Sequence, residues 1–211
     1  FRQDRYELCM YDFSRDMFAG TGIGEVNTVI RSLHKPGVWV NLSQTPHVMR
    51  LTQRNMKVRV EEDINIGGVT GLVEDKDGNL WISKWTDINV KRPDKDDLVV
   101  SGSDVPVMTS LFNDVKGEVL GLSHESKIYR LSCADGRITC ELKDSISSLL
   151  EKEEVNSVCI DRKGRLWLNT TLGRILRSDE TMHKFENVSL DNEIDDCTVL
   201  GLLSDKNSVW I

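Results

Sequence analysis

The sequence predicts an all-β protein assembled from repeated four-stranded modules, and three observations predict it. The stretch from Val69 to Ser83 has the pattern of a β-hairpin, in which two apolar, β-prone runs flank a polar turn at Asp75 to Asn79. In this turn we expect left-handed backbone angles at Asp77 and Gly78. The same pattern returns along the chain about every 40 residues, and an arginine follows four of the copies at a nearly constant distance. Repeats of about 40 to 50 residues with four strands each are typical of β-propeller blades.

Five copies of the hairpin are marked by a large apolar residue in the second strand. The markers are separated by 42, 39, 47 and 43 residues, and they are Trp39, Trp81, Leu120, Trp167 and Trp210. The predicted modules are 26–62, 69–100, 108–142 and 155–188, with partial modules at 1–18 and 199–211. We expect the tryptophans to lie in the blade core, because they hold one position in module after module.

The hairpins form the first two strands of each module, and they lie at 26–41, 69–83, 108–122, 155–169 and from 199 to the end. The fourth is close to the second, since Asp161, Gly164 and Trp167 stand in register with Asp75, Gly78 and Trp81. In the third, Gly117 lies in the turn and a leucine replaces the tryptophan.

Each complete module also carries two outer strands. The third strand is predicted around the arginines in register, which are Arg50, Arg92, Arg130 and Arg177, and the fourth strand at 57–60, 98–100, 138–142 and 183–186. The longer interval of 47 residues has a separate cause. Apolar residues at Ile146, Leu149 and Leu150, after Asp144 or Ser145 as the cap, predict one or two helical turns there.

The two ends of the chain leave the number of blades open. Leu8 to Phe13 has the pattern of a third strand, and the last module stops after its second strand. Pairing of the first strands with the last module would close a ring of five blades, whereas an arc from a larger, seven-bladed ring would leave unpaired edges. Because the first residue is Phe1, we expect a piece of a longer protein.

The modules resemble the two-component-regulator propeller repeat, whose pattern is an inner apolar strand, Asp-x-x-Gly-x-Leu-Trp-Ile-Gly-Thr and then Gly-Leu-x-Arg. The second and fourth modules carry the resemblance through the aspartate, glycine and tryptophan positions named above. They depart from the pattern where Gly-Thr is usual, with Ser83 and Lys84 in one module and Asn169 and Thr170 in the other.

This resemblance implies the periplasmic sensor region of a hybrid two-component system of the Bacteroides type. In such proteins the propellers respond to glycans or glycan fragments, and the membrane span, kinase and regulator lie outside a segment like this one. The resemblance also implies a homodimer that forms through the full-length sensor.

Composition excludes several other classes. A formal charge of −7 provides no basic field for nucleic acid or an anionic membrane surface. The longest apolar runs fall far below the ~20 residues that span a bilayer. The five cysteines form no zinc spacing, and hairpin register makes Cys133 and Cys140 diagonal neighbours, which favours small buried side chains over a disulfide.

Motifs for metal or phosphate binding are incomplete. Asp75, Asp77 and Asn79 alternate as calcium ligands do, but the glycine and glutamate positions of a calcium loop are not met. Gly20, Gly22 and Gly24 precede a predicted strand, whereas a phosphate-binding loop opens a helix. We therefore expect neither a metal nor a cofactor.

Catalysis has one candidate pair, His124 with Glu125. They fall in the predicted loop between the second and third strands of the third module. This loop opens on the same face as the entries to the inner strands, where a His and Glu pair could serve as acid and base. No nucleophile motif accompanies them. We expect no enzyme activity, with a propeller lyase or hydrolase acting on a polysaccharide or small molecule, or a protein-interaction scaffold, as the alternatives.

Ligand binding is predicted where the first strands begin and the second strands end, because these loops crowd one end of the central channel. Amides, hydroxyls and an aromatic face suit a sugar. The predicted ligand-binding residues are Asn27, Thr70, Lys84, Trp85, Ser110, Asn156 and Asn169. Together with the periplasmic sensor role that the resemblance implies, these residues predict a propeller that responds to a glycan or oligosaccharide.

Overall fold

The computed structural model describes residues 2–4, 7–12, 17–55, 57–150, 153–188, 201–204 and 208–210. In these ranges the secondary structure consists of twenty-one β-strands and one four-residue helix. The predicted all-β class is confirmed.

The strands form successive antiparallel sheets in chain order. The first sheet contains β1 (Arg2–Asp4), β2 (Glu7–Asp12) and β3 (Met17–Gly24). Four sheets of four strands follow, named blades 1 to 4. Blade 1 is β4 (Val26–Arg31), β5 (Val38–Leu42), β6 (His47–Arg54) and β7 (Lys57–Asn65), and blade 2 is β8 (Val69–Glu74), β9 (Leu80–Lys84), β10 (Ile88–Lys91) and β11 (Leu98–Val100).

Blade 3 is β12 (Met108–Asn113), β13 (Val119–Ser123), β14 (Lys127–Ala134) and β15 (Arg137–Ser145). The helix α1 (Ser147–Leu150) lies between blades 3 and 4. Blade 4 is β16 (Val155–Ile160), β17 (Leu166–Thr170), β18 (Ile175–Ser178) and β19 (Phe185–Asn187), and a two-stranded sheet, β20 (Leu203–Ser204) and β21 (Val209–Trp210), follows it.

The first strands of consecutive sheets lie side by side. Strand β8 contacts β4 and β12, and β16 contacts β12 and β20. The hydrophobic cores lie between the sheets; Trp81 and Val90 of blade 2, for example, pack with Met108, Leu131 and Ile138 of blade 3. Stacked four-stranded sheets with adjacent inner strands are the blades of a β-propeller, so the predicted fold is confirmed.

The marker tryptophans are buried, as predicted, in blades 1, 2 and 4, but the marker of the last, two-stranded sheet is exposed. Trp39, Trp81 and Trp167 are 3%, 2% and 8% exposed. Trp210 is 61% exposed, so its predicted core position is wrong in this structure. It lies on a sheet with two described strands, and no third or fourth strand in the described residues covers its ring.

The arginine pattern holds in three blades. Arg50, Arg130 and Arg177 lie on third strands, directly opposite the marker residues of the second strands. Arg92 follows β10 instead, and Val90 pairs with Trp81. Trp81 pairs with the residue nine positions ahead of it, whereas Trp39 pairs with the residue eleven positions ahead, so the connection to the third strand is two residues shorter in blade 2 and Arg92 falls beyond the paired position.

The insert before blade 4 contains the predicted helical turn. Ile146 and Leu150 are buried, and Leu149 is partly exposed. The carbonyl of Ile146 accepts the N–H of Leu150 at 3.3 Å, so Ile146, and neither Asp144 nor Ser145, occupies the cap position. The described part of the chain contains no helix that is both long and apolar enough to cross a membrane.

Cys133 and Cys140 are diagonal neighbours, as predicted. Cys133 pairs with Ile138 and Leu131 pairs with Cys140, and both thiols are free. Burial raises the pKa of each thiol. They act as small side chains packed against the core between blades 2 and 3.

The turns between first and second strands form one end of the blades, here called the lower rim, and they interlock. Gly117 has φ +74, and a Cβ there would lie 3.0 Å from Cβ of Lys76 in the preceding turn. Gly78, with φ +82, is approached in the same way by His34. Each glycine therefore permits both a left-handed turn and close contact with the previous blade.

Candidate functional site

The acidic turn of blade 2 is a structural element. Oδ1 of Asp75 accepts the backbone N–H groups of Asp77 and Asn79, each at 2.9 Å. Oδ2 accepts Nδ2 of Asn79 at 2.9 Å and the indole N–H of Trp81 at 2.7 Å. The carboxylate ties the turn to the blade core. Gly78 has the left-handed backbone predicted for this turn, whereas Asp77 does not.

Asp161 makes the same connection in blade 4. Its Oδ1 accepts the N–H groups of Lys163 and Arg165, and its Oδ2 accepts the indole N–H of Trp167 at 2.9 Å. Burial opposes ionisation of Asp161, but hydrogen bonds from Trp167, Arg165 and the backbone outweigh it and hold the carboxyl pKa below its ordinary value. Among the described residues, no group of three or more His, Cys, Asp or Glu side chains is arranged to hold a metal ion.

The opposite end of the blades, here called the upper rim, is where first strands begin and second strands end. Every complete blade has a register shift at the second residue of its first strand. The residues in these bulges are Asn27, Thr70, Thr109 and Asn156. The sequence pattern selected Ser110 for this position in blade 3, but Ser110 pairs regularly with Leu122 and Thr109 occupies the bulge. Strand pairing, and not residue type, therefore determines which residue of blade 3 corresponds to Asn27, Thr70 and Asn156.

The hydroxyl groups of the bulges bind neighbouring backbone. Thr70 donates to the carbonyl oxygen of Met108 in blade 3 at 3.1 Å and lies 2.9 Å from Oγ of Ser83. Thr109 donates to the carbonyl of Leu122 at 3.1 Å. These two side chains stabilise the rim and its inner strands.

The amide side chains divide into exposed and buried sets. Asn27 and Asn156 are exposed on the upper rim, and Nδ2 of Asn156 donates to the carbonyl of Thr170 at 3.4 Å. Asn169 is fully buried, and its Oδ1 accepts the hydroxyl of Ser157. Burial removes Asn169 from the surface that a ligand would contact.

Trp85 is the aromatic member of the predicted ligand-binding residues, and 65% of its surface is accessible. Its backbone N–H donates to the carbonyl of Gly68 at 3.3 Å, and its Cδ1 lies 3.6 Å from the position of a Cβ on Gly68. The structure thus brings Thr70, Lys84 and Trp85 together at the rim of blade 2, because Lys84 pairs with Val69 beside them.

Asp87 holds the loop that carries Trp85. Its carboxylate accepts hydrogen bonds from Nζ of Lys84 at 3.3 Å, from Oγ1 of Thr86 at 2.6 Å and from Nδ2 of Asn89. Its backbone carbonyl accepts the N–H of Lys84 at 2.9 Å. Burial raises the pKa of the Asp87 carboxyl, but these hydrogen bonds and the Lys84 charge outweigh it and lower the pKa overall. These bonds hold the loop together, and the indole of Trp85 is exposed on it.

His124 and Glu125 are both exposed in the loop between β13 and β14. Glu125 forms an ion pair with Nζ of Lys127 at 2.5 Å, and this hydrogen bond lowers the pKa of Glu125. Its carboxylate is therefore paired with Lys127 at the surface of the loop.

Two cavities lie at the lower rim. One, of about 220 Å³, lies between blades 2 and 3 and is lined by Lys76, Glu118 and Arg130. The other, of about 340 Å³, is lined by Arg165, Arg177 and Glu186 of blade 4. Their charges are largely paired within the cavities, since Arg130 lies 3.1 Å from Glu118 and Arg177 bonds Glu186.

Sequence comparison confirms one copy of the predicted repeat, in blade 2. The sequence pattern of the two component regulator propeller matches residues 63–83, which contain the hairpin of blade 2. No curated protein sequence matches the chain significantly.

Solved structures resemble the chain in fold. A streptogramin B lyase has 14% identity and a TM-score of 0.68, and the match covers 97% of this chain and 68% of the lyase. A luciferin-regenerating enzyme has 14% identity and a TM-score of 0.61, with coverages of 92% and 71%. The β-propeller domain of Swd1 from Myceliophteria thermophila has 11% identity and a TM-score of 0.61, with coverages of 87% and 66%. The chain thus spans about two thirds of the length of these propellers, and at these identities the likeness shows the fold.

Sequence reasoning missed two features that shape the upper rim. Asp87 was not selected, although its neighbours Lys84 and Trp85 were, because a charged residue in a loop commonly faces solvent. Gly67 and Gly68 were not selected either. Their signal was a glycine pair directly before an inner strand, where close approach of another loop requires the absence of a side chain.

Proposed function

We propose that this chain is the ligand-sensing propeller region of a two-component signalling protein and that its ligand is an oligosaccharide bound at the upper rim. The observation that carries the proposal is the exposed indole of Trp85 on a loop held by Asp87. A flat aromatic face binds the apolar face of a sugar ring, and an ordered loop reduces the entropy lost on binding.

The polar groups around Trp85 support a sugar as the ligand. Thr86 and Lys84 are beside it, and the backbone of Gly68 runs beneath it. Hydroxyl, ammonium and peptide groups are the partners that sugar hydroxyls need. The exposed amides Asn27 and Asn156 provide further contacts on other blades of the same rim, while Thr70 and Asn169 support the structure.

The proposed role is binding without chemistry. The pairing of Glu125 with Lys127 gives no support to an acid and base pair with His124. The repeat family supports a regulatory role, since its members belong to two-component regulators. A periplasmic location and dimerisation through other parts of a longer protein complete the proposal.

The experiment is a thermal-shift screen of a broad panel of neutral and anionic oligosaccharides, followed by calorimetric titration of any that stabilise the chain. We expect binding that is lost in Trp85→Ala. Leu172→Ala is the matched control, because Leu172 is an exposed apolar residue of the equivalent loop in blade 4 and is 78% exposed. Failure of every sugar to bind, or equal binding by Trp85→Ala, would overturn the proposal.

A further inference from the structure

A cavity of about 340 Å³ lies at the lower rim of blade 4, at the opposite end of the blades from Trp85. The turn before β17 meets β18 there, since the N–H of Leu166 donates to Oγ of Ser178 at 2.7 Å. The volume is near the lower end of the range for small-molecule pockets, about 300 to 1,000 Å³. The cavity therefore has the size of a site for a small molecule. Six charged residues line it, and they are Arg165, Arg177, Asp179, Glu180, Lys184 and Glu186.

The two arginines of the cavity both lie over the indole of Trp167. Arg177 is on β18 directly opposite Trp167, and its guanidinium carbon is 5.3 Å from the centre of the indole ring. Arg165 precedes β17, and its guanidinium carbon is 5.8 Å from the same centre. At these distances a cation is attracted to the face of the ring. One buried tryptophan thus positions two guanidinium groups at one cavity.

The carboxylates that pair with these arginines leave part of each guanidinium unused. Oδ2 of Asp161 accepts Nε of Arg165 at 2.7 Å and lies 2.7 Å from its Nη2. Oε1 of Glu186 accepts Nε of Arg177 at 2.7 Å and also accepts its Nη2. A guanidinium has five N–H donors. In the described part of the chain Nη1 of neither arginine has an acceptor, so both can donate to a ligand.

Asp179 also lines the cavity, but its carboxylate is bonded to its own loop. Oδ1 accepts the N–H and the hydroxyl of Thr181 at 3.2 and 2.9 Å, and the N–H of His183 at 3.1 Å. Burial raises the pKa of the Asp179 carboxyl, but these hydrogen bonds outweigh it and lower the pKa overall. The ionised carboxylate therefore stabilises the loop between β18 and β19.

Two charged groups of the cavity have no ion-pair partner among the described residues. They are the ammonium of Lys184 and the carboxylate of Glu180, and both side chains are exposed. Lys184 adds a third cationic donor to the two guanidiniums, whereas Glu180 is the one carboxylate of the lining without a bond in the described structure. The groups left to bind a ligand are therefore mainly positive donors, which favour an oxyanion.

We propose that this cavity binds a small organic anion, whose carboxylate, sulfate or phosphate group accepts hydrogen bonds from Arg165, Arg177 and Lys184. Guanidinium and ammonium groups are the usual partners of such oxyanions. Phe185, which is partly buried in the cavity lining, provides an apolar wall for the rest of the ligand. The site is separate from the oligosaccharide site at Trp85 and does not depend on that proposal.

The test is calorimetric titration of the full chain with glucuronate, glucose 6-phosphate and glucose, three probes that share a sugar ring and differ in charge. The titrations use 0.1 M sodium chloride, in which charges more than about 10 Å apart are largely screened. We expect saturable binding of at least one anion and none of glucose. The two anions distinguish a carboxylate from a phosphate as the preferred group.

Two exposed residues of the lining should change the affinity for the bound anion in opposite directions. Lys184→Gln removes a cationic donor and should weaken binding about threefold to fivefold, whereas Glu180→Gln removes the opposing charge and should strengthen it about twofold. Lys163→Gln is the matched control, because Lys163 is exposed in the turn of the same blade but does not line the cavity. It should bind like the wild type.

Several results would overturn the anion site. They are binding of neither anion, equal binding of glucose, unchanged affinity in Lys184→Gln, and weaker binding by Glu180→Gln. Equal weakening in Lys163→Gln would also overturn it, since it would show a non-specific effect of charge. Trp85→Ala should bind the anion like the wild type, so that failure of this site and failure of the oligosaccharide site are measured separately.

Discussion

The indole nitrogen of Trp81 donates a hydrogen bond to Oδ2 of Asp75 at 2.7 Å, and this bond joins the turn of blade 2 to its core. Trp167 and Asp161 repeat the connection in blade 4. The acidic turns that look like metal loops in the sequence are therefore scaffold, and the upper rim is left as the surface for binding an oligosaccharide.

Replacement of Asp75 by alanine tests that scaffold role. The change removes four hydrogen bonds and leaves the buried indole N–H of Trp81 without its acceptor. We expect a loss of about 2 to 3 kcal/mol in the free energy of unfolding, measured with urea. Asp77→Ala is the control, because Asp77 is exposed in the same turn, and it should change stability by less than about 0.5 kcal/mol. Equal losses would contradict the assignment.

The indole of Trp39 provides a matched comparison. Its Nε1 is buried and has no hydrogen-bond partner within the described structure. Ser32 stands where Asp75 stands in blade 2, since each lies two residues beyond the partner of its tryptophan. Trp39→Phe should therefore cost about 1 to 2 kcal/mol less than Trp81→Phe in urea unfolding. A larger cost for Trp39→Phe would show that the Asp75 bond is not the cause.

Alanine substitutions at Gly78 and Gly136 separate two effects on stability, the strain of a left-handed backbone and the contact between turns of neighbouring blades. Gly78 and Gly136 both have positive φ, but a Cβ on Gly78 would lie 3.2 Å from Pro93 and 3.3 Å from His34, whereas Gly136 has open space. We expect Gly136→Ala to cost about 1 kcal/mol, from the left-handed backbone alone, and Gly78→Ala to cost at least about 2 kcal/mol. Indistinguishable melting temperatures of the two variants would show that the contact of Gly78 with the neighbouring turn does not contribute to stability.

Acid should release the stabilisation provided by Asp161. Its folded-state pKa is lowered below the ordinary value of 3.8, so the ionised carboxylate stabilises the fold above that pH and the contribution is lost as pH falls through the folded pKa. The difference in unfolding free energy between wild type and Asp161→Asn should be greatest near neutral pH and shrink in acid. A difference that stays constant down to about pH 2.5 would contradict this linkage.

The repeated hairpins could be predicted because local residue patterns determine them. Strand propensity, a glycine in the turn and a tryptophan at a constant position are all visible in one module, and repetition makes them reliable. Features that depend on contacts between modules could not be predicted in the same way. The bulge at Thr109, the burial of Asn169 and the contact of Pro46 with Gly67 arise from strand register and from neighbouring blades.

The most direct test of the upper-rim site follows the indole N–H signals of the five tryptophans during titration with a binding oligosaccharide. Trp85 is exposed, whereas Trp39, Trp81 and Trp167 are buried in the blades. The signal absent from Trp85→Ala should shift most and should saturate with the calorimetric affinity. A titration in which the sugar binds but the Trp85 signal does not move would contradict the account.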